Sequence, residues 1–388
     1  MQGVVKSWRK LQVWDSVYSA DSIEFCPVAP YQHVFLCGTY QLNETQDSDT
    51  SKEPAGCDKR KGTLILFSLN QSEESIERIR TVDTPAILDI KWCHRRVQDK
   101  IVFAVVNAIG QLIVYELVSP AENTLDLNIR ELCSHQLDQG EANEILALSL
   151  DWSSRMHTNL TDLDRNSIRN PNLTNVELSS FRDPNIVDVQ RSSFRESVVV
   201  SDSQGAVHLF HLTNSGLQLK RSWKGHGFEA WIAAFNYSQP SVFYSGGDDC
   251  LMKVYDVRQD GPVQTIREHG AGVTSIQYNP FIEHTLATGS YDEHLYTWDD
   301  RHFKSPKSKT PLGGGVWRIK HQSDLSILTA TMYNGFHHIP ADVEDSAKIL
   351  EYNHHGSIAY GIDSCYAHEK YVVTCSFYNH LINLSVLE

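Results

Sequence analysis

One word of the sequence returns at a fixed offset. Ser245-Gly-Gly-Asp-Asp249, followed by Tyr255-Asp256, comes back as Thr288-Gly-Ser-Tyr-Asp292, followed by Trp298-Asp299, every position 43 residues further on. His226 and His269, each before a glycine, keep the same offset. A repeat of about 40–45 residues punctuated by His-Gly and an aromatic–Asp pair is the signature of a propeller blade. A blade is four short antiparallel strands that cannot bury both faces alone, so it must be stacked beside others like it. The fold class is therefore all-β, a WD-repeat β-propeller.

The other blades are fainter. Ile145–Trp152, Ser197–Ser201 and Ala206–Leu212 make one, with Phe210 in the place of Tyr255 and Trp298. Ile87–Cys93, Lys100–Val106 and Gln111–Leu117 make another, and Ser22–Cys26, Val34–Tyr40 and Thr63–Leu69 the first. Val316–His321, Ser326–Met332 and Gly335–Ile339 come after the clear pair, and Ser357–Ile362, Tyr371–Phe377 and Leu381–Leu387 end the chain. That makes seven blades over residues 1–388, read as a single domain. The last has only three strands, so the N-terminal segment Ser7–Trp14 is expected to supply the fourth and close the ring, because an open edge strand invites aggregation. Two polar stretches, 43–62 and 153–193, interrupt the period and read as mobile insertions within blades.

Composition narrows the partners. A net charge of −14 lacks the basic stripe a phosphate-backbone binder needs, so direct nucleic-acid binding is not expected. No apolar run reaches the length of a membrane span, and residues 1–9 show no apolar leader. Eight scattered cysteines without C-x-x-C spacing read as reduced thiols, mostly buried. The expectation is a cytoplasmic monomer.

The recurrent residues invite a catalytic reading. His226, Ser245 and Asp249 contain the letters of a hydrolase triad. A triad occurs once, whereas these residues recur at blade spacing with His269, Thr288 and Asp292. They are expected to form buried hydrogen-bonded networks that hold the inter-blade loops. G-x-S-x-G, Walker, H-E-x-x-H and dinucleotide motifs are all absent. From the residues alone the default is an interaction propeller.

Longer words carry a resemblance. Thr84-Pro-Ala-Ile-Leu-Asp-Ile-Lys-Trp-Cys-His94, Phe228-Glu-Ala-Trp-Ile-Ala-Ala-Phe-Asn-Tyr237, Ala287-Thr-Gly-Ser-Tyr-Asp-Glu-His294 and Gly314-Gly-Val-Trp-Arg-Ile-Lys320 resemble the WD-repeat diphthine methylesterases of eukaryotic diphthamide biosynthesis. So do Tyr244-Ser-Gly-Gly-Asp-Asp249 and Tyr18-Ser-Ala-Asp-Ser-Ile-Glu-Phe-Cys-Pro27 with Cys37-Gly-Thr-Tyr40. The resemblance implies a carboxylic-ester hydrolase acting on translation elongation factor 2. Its substrate would be the over-methylated intermediate, a methyl ester beside a trimethylammonium group, and its products diphthine and methanol, ready for the final amidation to diphthamide. It implies no organic cofactor and no metal, with other pathway enzymes as further partners.

Such a substrate sets requirements. A quaternary ammonium is held by aromatic faces, and Trp231, Tyr291, Trp317 and Tyr360 are expected near inner-strand starts or turns on one face of the ring. Ester cleavage needs a base and an oxyanion donor. Glu229, Asp248 and His294, with Glu293, are the candidate bases, and Arg318 the candidate donor. Asp21 and Asp89 stand at comparable inner-strand starts, and Ser290 is an alternative nucleophile. The competing reading is a non-catalytic adaptor: a pathway or trafficking scaffold, or a cullin ubiquitin-ligase receptor docking through Trp298-Asp-Asp-Arg301 and Tyr255-Asp-Val-Arg258.

Overall fold

The structure, a computed structural model, describes residues 5, 7–42, 60–120, 126–137, 144–154, 196–341 and 349–388. Seven four-stranded antiparallel sheets follow one another along the chain. The inner strands are Ser19–Phe25, Ile87–Trp92, Ala147–Trp152, Ala230–Phe235, Val273–Tyr278, Arg318–His321 and Ala359–Ser364, for blades one to seven. Each inner strand packs against the inner strand of the next blade, and the first against the seventh, which closes the ring. Between blades lie apolar clusters such as Phe235, Phe243, Tyr255 and Tyr278, all fully buried.

The seventh blade is closed from the other end of the chain. Trp8–Asp15 pairs antiparallel with Leu381–Leu387. Trp8 stacks on Tyr352 of blade six at 5.0 Å, and Trp14 meets Phe67 of blade one edge-on at 5.0 Å. One strand thus fastens three blades. Deleting residues 1–15 should remove on the order of 5 kcal/mol, from two large aromatic contacts and an opened edge. Urea unfolding should show one cooperative transition at lower denaturant. Loss of a minor early phase alone would mean that the strand merely decorates the ring.

The repeated polar residues form the expected networks. In blade four His226 bonds Asp249 through Nδ1 at 2.8 Å and Ser245 through Nε2 at 2.6 Å. In blade five His269 Nε2 meets Thr288 at 2.8 Å, and Trp298 Nε1 donates to the same hydroxyl at 2.9 Å. Burial pushes His269 down to about 4, so it stays neutral. In blade seven His355 bridges Ser376 and Thr374, a network that no aromatic–Asp pair announces.

Three boundaries need correction. Arg60–Gly62 belongs to the strand Arg60–Asn70, and Ser153–Ser154 is a described turn; the remainder of insertion 43–62 and residues 155–193 lie outside the described residues. The first inner strand begins at Ser19, three residues earlier than the pattern indicated. The described cysteines are free, and Cys26, Cys37, Cys93, Cys365 and Cys375 are buried.

Candidate active site

The inner strands aim their side chains by a shared irregularity. Six of them break register near their first residues, at Asp21, Leu88, Leu148, Trp231, Thr274 and Tyr360. In blade six Trp317, bonded through its N–H to Ala330 O at 2.8 Å, enters the strand at the same place. A bulge adds one residue to one strand and re-aims it. These seven residues open the inner strands on the face where the turns between second and third strands also lie.

Aromatic rings gather there. Trp231 lies 5.8 Å from Trp317 and 6.3 Å from Tyr291, and Tyr291 lies 6.2 Å from Trp317. Trp231 and Trp317 come from blades four and six, with blade five between them. They meet because the bulge residue of blade five is the small Thr274, whose hydroxyl donates to Val316 O at 2.6 Å. Gly272 and Gly315 admit the Tyr291 ring: a Cβ on either would come within 3.1 Å of it. Trp317 then packs on Tyr360 at 4.9 Å, and Tyr360 on Phe377 at 4.9 Å. Trp317 Nε1 is a buried donor without an acceptor among the described residues, and an acceptor brought by a ligand would relieve that cost.

Carboxylates flank the rings. Asp248, exposed, accepts a hydrogen bond from Trp231 Nε1 at 3.0 Å. The Glu229 carbonyl holds the Asp248 N–H at 2.9 Å. Burial, then Asp248 and Glu229, lift the Tyr291 phenol well above its usual range.

Below the mouth the channel is charged. Arg318, 8% exposed, reaches from blade six to blade two, where its Nη2 lies 3.1 Å from Asp89 and 3.5 Å from the Leu88 carbonyl. Asp89 also accepts the Leu150 N–H of blade three at 3.1 Å, which makes it a clip between blades. One layer deeper, Lys91 and Lys320 converge on Glu24 at 2.8 and 2.6 Å. Asp21, 3% exposed, has no hydrogen bond or ion pair among the described residues. Burial pushes its carboxyl up to about 8, with Asp89 adding and Arg318 and Lys91 opposing. Tyr360 is lifted far above the phenol range by burial, then by Asp21.

Trp231, Tyr291, Trp317, Tyr360, Asp248 and Glu229 thus share one site, with Arg318 beneath them. His294 needs correcting. It opens the third strand of blade five, where its Nδ1 lies 2.6 Å from the Asp292 carbonyl oxygen and its ring faces Tyr296 of the same strand. Its described contacts all lie within that blade. Glu293 is exposed in the turn. Ser290 is buried with its hydroxyl spent on Ala271 O and the Asp292 N–H, so no base activates it. Asp21, expected only as a comparable inner-strand start, and Phe377, to which the sequence does not point, lie with the mouth residues. Both occupy, in their own blades, the place of residues that were picked out.

The fold and site define a seven-bladed WD-repeat propeller with a built mouth to its channel. The WD domain, G-beta repeat family matches residues 260–299. A chain of the mitotic checkpoint complex crystal structure superposes with a TM-score of 0.63 at 12% identity, over 97% of this chain and 93% of that one, a likeness of fold alone. The mouse protein named diphthine methyltransferase is 37% identical over 370 residues, 92% of this chain and 69% of its own. The diphthine methyltransferase homolog of Dictyostelium discoideum is 30% identical over 95% of this chain and 96% of its own. The chain belongs to the diphthine methyltransferase family, a WD-repeat family of diphthamide biosynthesis.

Proposed function

We propose that the chain is a methylesterase that removes the ester methyl from the over-methylated diphthine intermediate on elongation factor 2. The observation that carries this reading is the juxtaposition at the channel mouth. Three aromatic rings within 6.3 Å of one another, with Asp248 and Glu229 beside them, adjoin a buried carboxyl and guanidinium. A methylated ammonium resting over the trio lies within the ~6 Å reach of cation–π attraction to all three rings. An ester on the same carbon would then face Asp21 and Arg318, where water can be deprotonated and an oxyanion met by positive charge.

The relatives' name reads as a transferase, and the two reactions differ in sign. A transferase consumes a methyl donor and adds the mass of one methylene; a hydrolase consumes water and removes it. In the adaptor reading the surface in play is elsewhere. Arg301 and Arg258 leave the third strands at their far ends and fold back on Asp299 at 2.6 Å and on Asp256. Purified chain at substoichiometric amount should be incubated with methyl-esterified elongation factor 2, with and without a methyl donor, and intact mass and methanol followed. Donor-independent methanol over many turnovers is the expected result. Donor-dependent mass gain would make it a transferase, and stoichiometric binding without mass change an adaptor.

A further inference from the structure

The six bulge positions at the mouth, with the equivalent Trp317 of blade six, carry Asp21, Leu88, Leu148, Trp231, Thr274, Trp317 and Tyr360. Asp21 is the one carboxyl among them. We infer that Asp21 is the catalytic base of the site, taking a proton from a water at the channel mouth while Arg318 faces the charge that develops on the ester oxygen. The assignment rests on the ester-hydrolase reading.

Several observations place it there. Other inner-strand carboxylates are already used: Asp89 holds Leu150 N–H, Asp151 holds Phe235 N–H and Asp363 holds Phe25 N–H. The Asp21 carboxyl has no such partner among the described residues, and the residue is 3% exposed. Arg318 commits Nη2 to Asp89 and the Leu88 carbonyl, leaving Nε and Nη1 without a protein acceptor among the described residues. An unsatisfied carboxyl beside a partly satisfied guanidinium costs stability, and such arrangements persist where they serve a reaction.

The step balances. Asp21 carboxylate removes one proton from water, and the water oxygen bonds to the ester carbonyl carbon. The carbonyl electron pair moves to oxygen, opposite Arg318. On collapse the C–OCH3 bond breaks, methoxide takes the proton back from Asp21, and methanol leaves. The new carboxylic acid loses its proton to solvent.

A base must be ionised, and the charged or titratable groups facing Asp21 set when that occurs. They are Arg318 from blade six, Asp89 and Lys91 from blade two, Tyr360 and Cys375 from blade seven and Cys37 from its own blade. With burial dominant and the carboxyl lifted to about 8, kcat/KM should rise with pH and level off above about 8.

The test is Asp21→Asn in the full chain, assayed with methyl-esterified elongation factor 2 from pH 6 to 10. The expected result is a fall in kcat of roughly a hundredfold or more, KM within a few-fold, and loss of the rising limb. A melting series gives a readout free of activity. A carboxyl with a raised folded pKa costs stability progressively from its ordinary value near 3.8 up to about 8. Asp21→Asn should therefore gain melting temperature over wild type in that window, with a constant gain above it. If wild type releases no methanol, the hydrolase reading fails and the base assignment with it. If wild type turns over and Asp21→Asn matches it, only the base assignment fails. An acyl adduct on Asp21 in a single turnover would overturn it in favour of a nucleophile.

Discussion

Replacing Lys320 by methionine should cost about 3–5 kcal/mol, the range for removing one member of a buried ion pair. Lys320 is 4% exposed, and its ammonium lies 2.6 Å from Glu24 and 3.6 Å from Asp363. Those carboxylates are 5% and 3% exposed and come from blades one and seven, so the lysine of blade six ties three blades across the channel. Burial alone would raise the Glu24 carboxyl; Lys320 and then Lys91 hold it down to about 2. The sign follows. A carboxyl depressed in the folded state stabilises fully above its unfolded value near 4.5 and loses that contribution as pH falls toward 2. Wild type should therefore weaken on acidification through that window, and Lys320→Met should weaken less steeply from a lower starting point. Urea unfolding at pH 7 and at pH 3 measures both. The double variant Lys320→Met/Glu24→Gln should recover part of the loss, because it removes the carboxylate nearest the new methionine and leaves Asp363, 3.6 Å from the lost ammonium, deprived of that charge. Equal stability of Lys320→Met and wild type at pH 7 would mean that Lys91 or water, and not Lys320, balances Glu24.

The same charges lie beneath the mouth. Arg318–Asp89 spans the channel from blade six to blade two, and the Lys91–Glu24–Lys320 set joins blades two, one and six. A ligand entering from this face meets charge at a fixed depth. Preorganised charge of this kind is what an oxyanion requires, since it costs no rearrangement when the bond forms.

The inner part of each blade was legible in the sequence and the outer part was not. Inner and middle strands such as Ile101–Asn107 are buried throughout and mostly apolar because both faces pack against neighbouring blades. Outer strands such as Pro262–Ile266 and Asn128–Gln136 expose most of their residues, so no apolar period marks them. The mouth aromatics were found because they precede apolar runs at matching places: Trp231, Thr274 and Trp317 are spaced at the same 43-residue offset. Asp21 holds the same place in blade one, which the sequence shows, but no conspicuous neighbour marks its carboxyl as lacking the inter-blade N–H partner that Asp89, Asp151 and Asp363 have. His294 misled for the opposite reason. It stands beside the conspicuous turn aspartate in sequence, and that turn ties its ring to the Asp292 carbonyl within its own blade.

Truncating Trp231 or Trp317 to alanine should weaken capture of the modified residue by roughly thirtyfold, from about 2 kcal/mol of lost cation–π attraction and ring contact. The loss should appear in KM more than in kcat, because the ammonium carries its charge in both ground state and transition state. Charge can be separated from shape. A short peptide bearing the methyl ester beside a trimethylammonium should compete far better than its neutral isostere with a tert-butyl group in that position. In Trp231→Ala that preference should shrink, whereas Trp231→Phe should keep most of it. Asp248→Asn should cost only a few-fold, since its carboxylate is exposed and water screens it. Trp317→Phe asks a further question, because it keeps a ring but removes a buried N–H that has no acceptor among the described residues. If that N–H meets the ester oxygen, kcat falls while the preference for the cation survives; if it meets nothing, the variant gains stability and turns over as wild type. Equal affinity of wild type for the cation and its neutral isostere would sink the aromatic cage and leave the rings as packing.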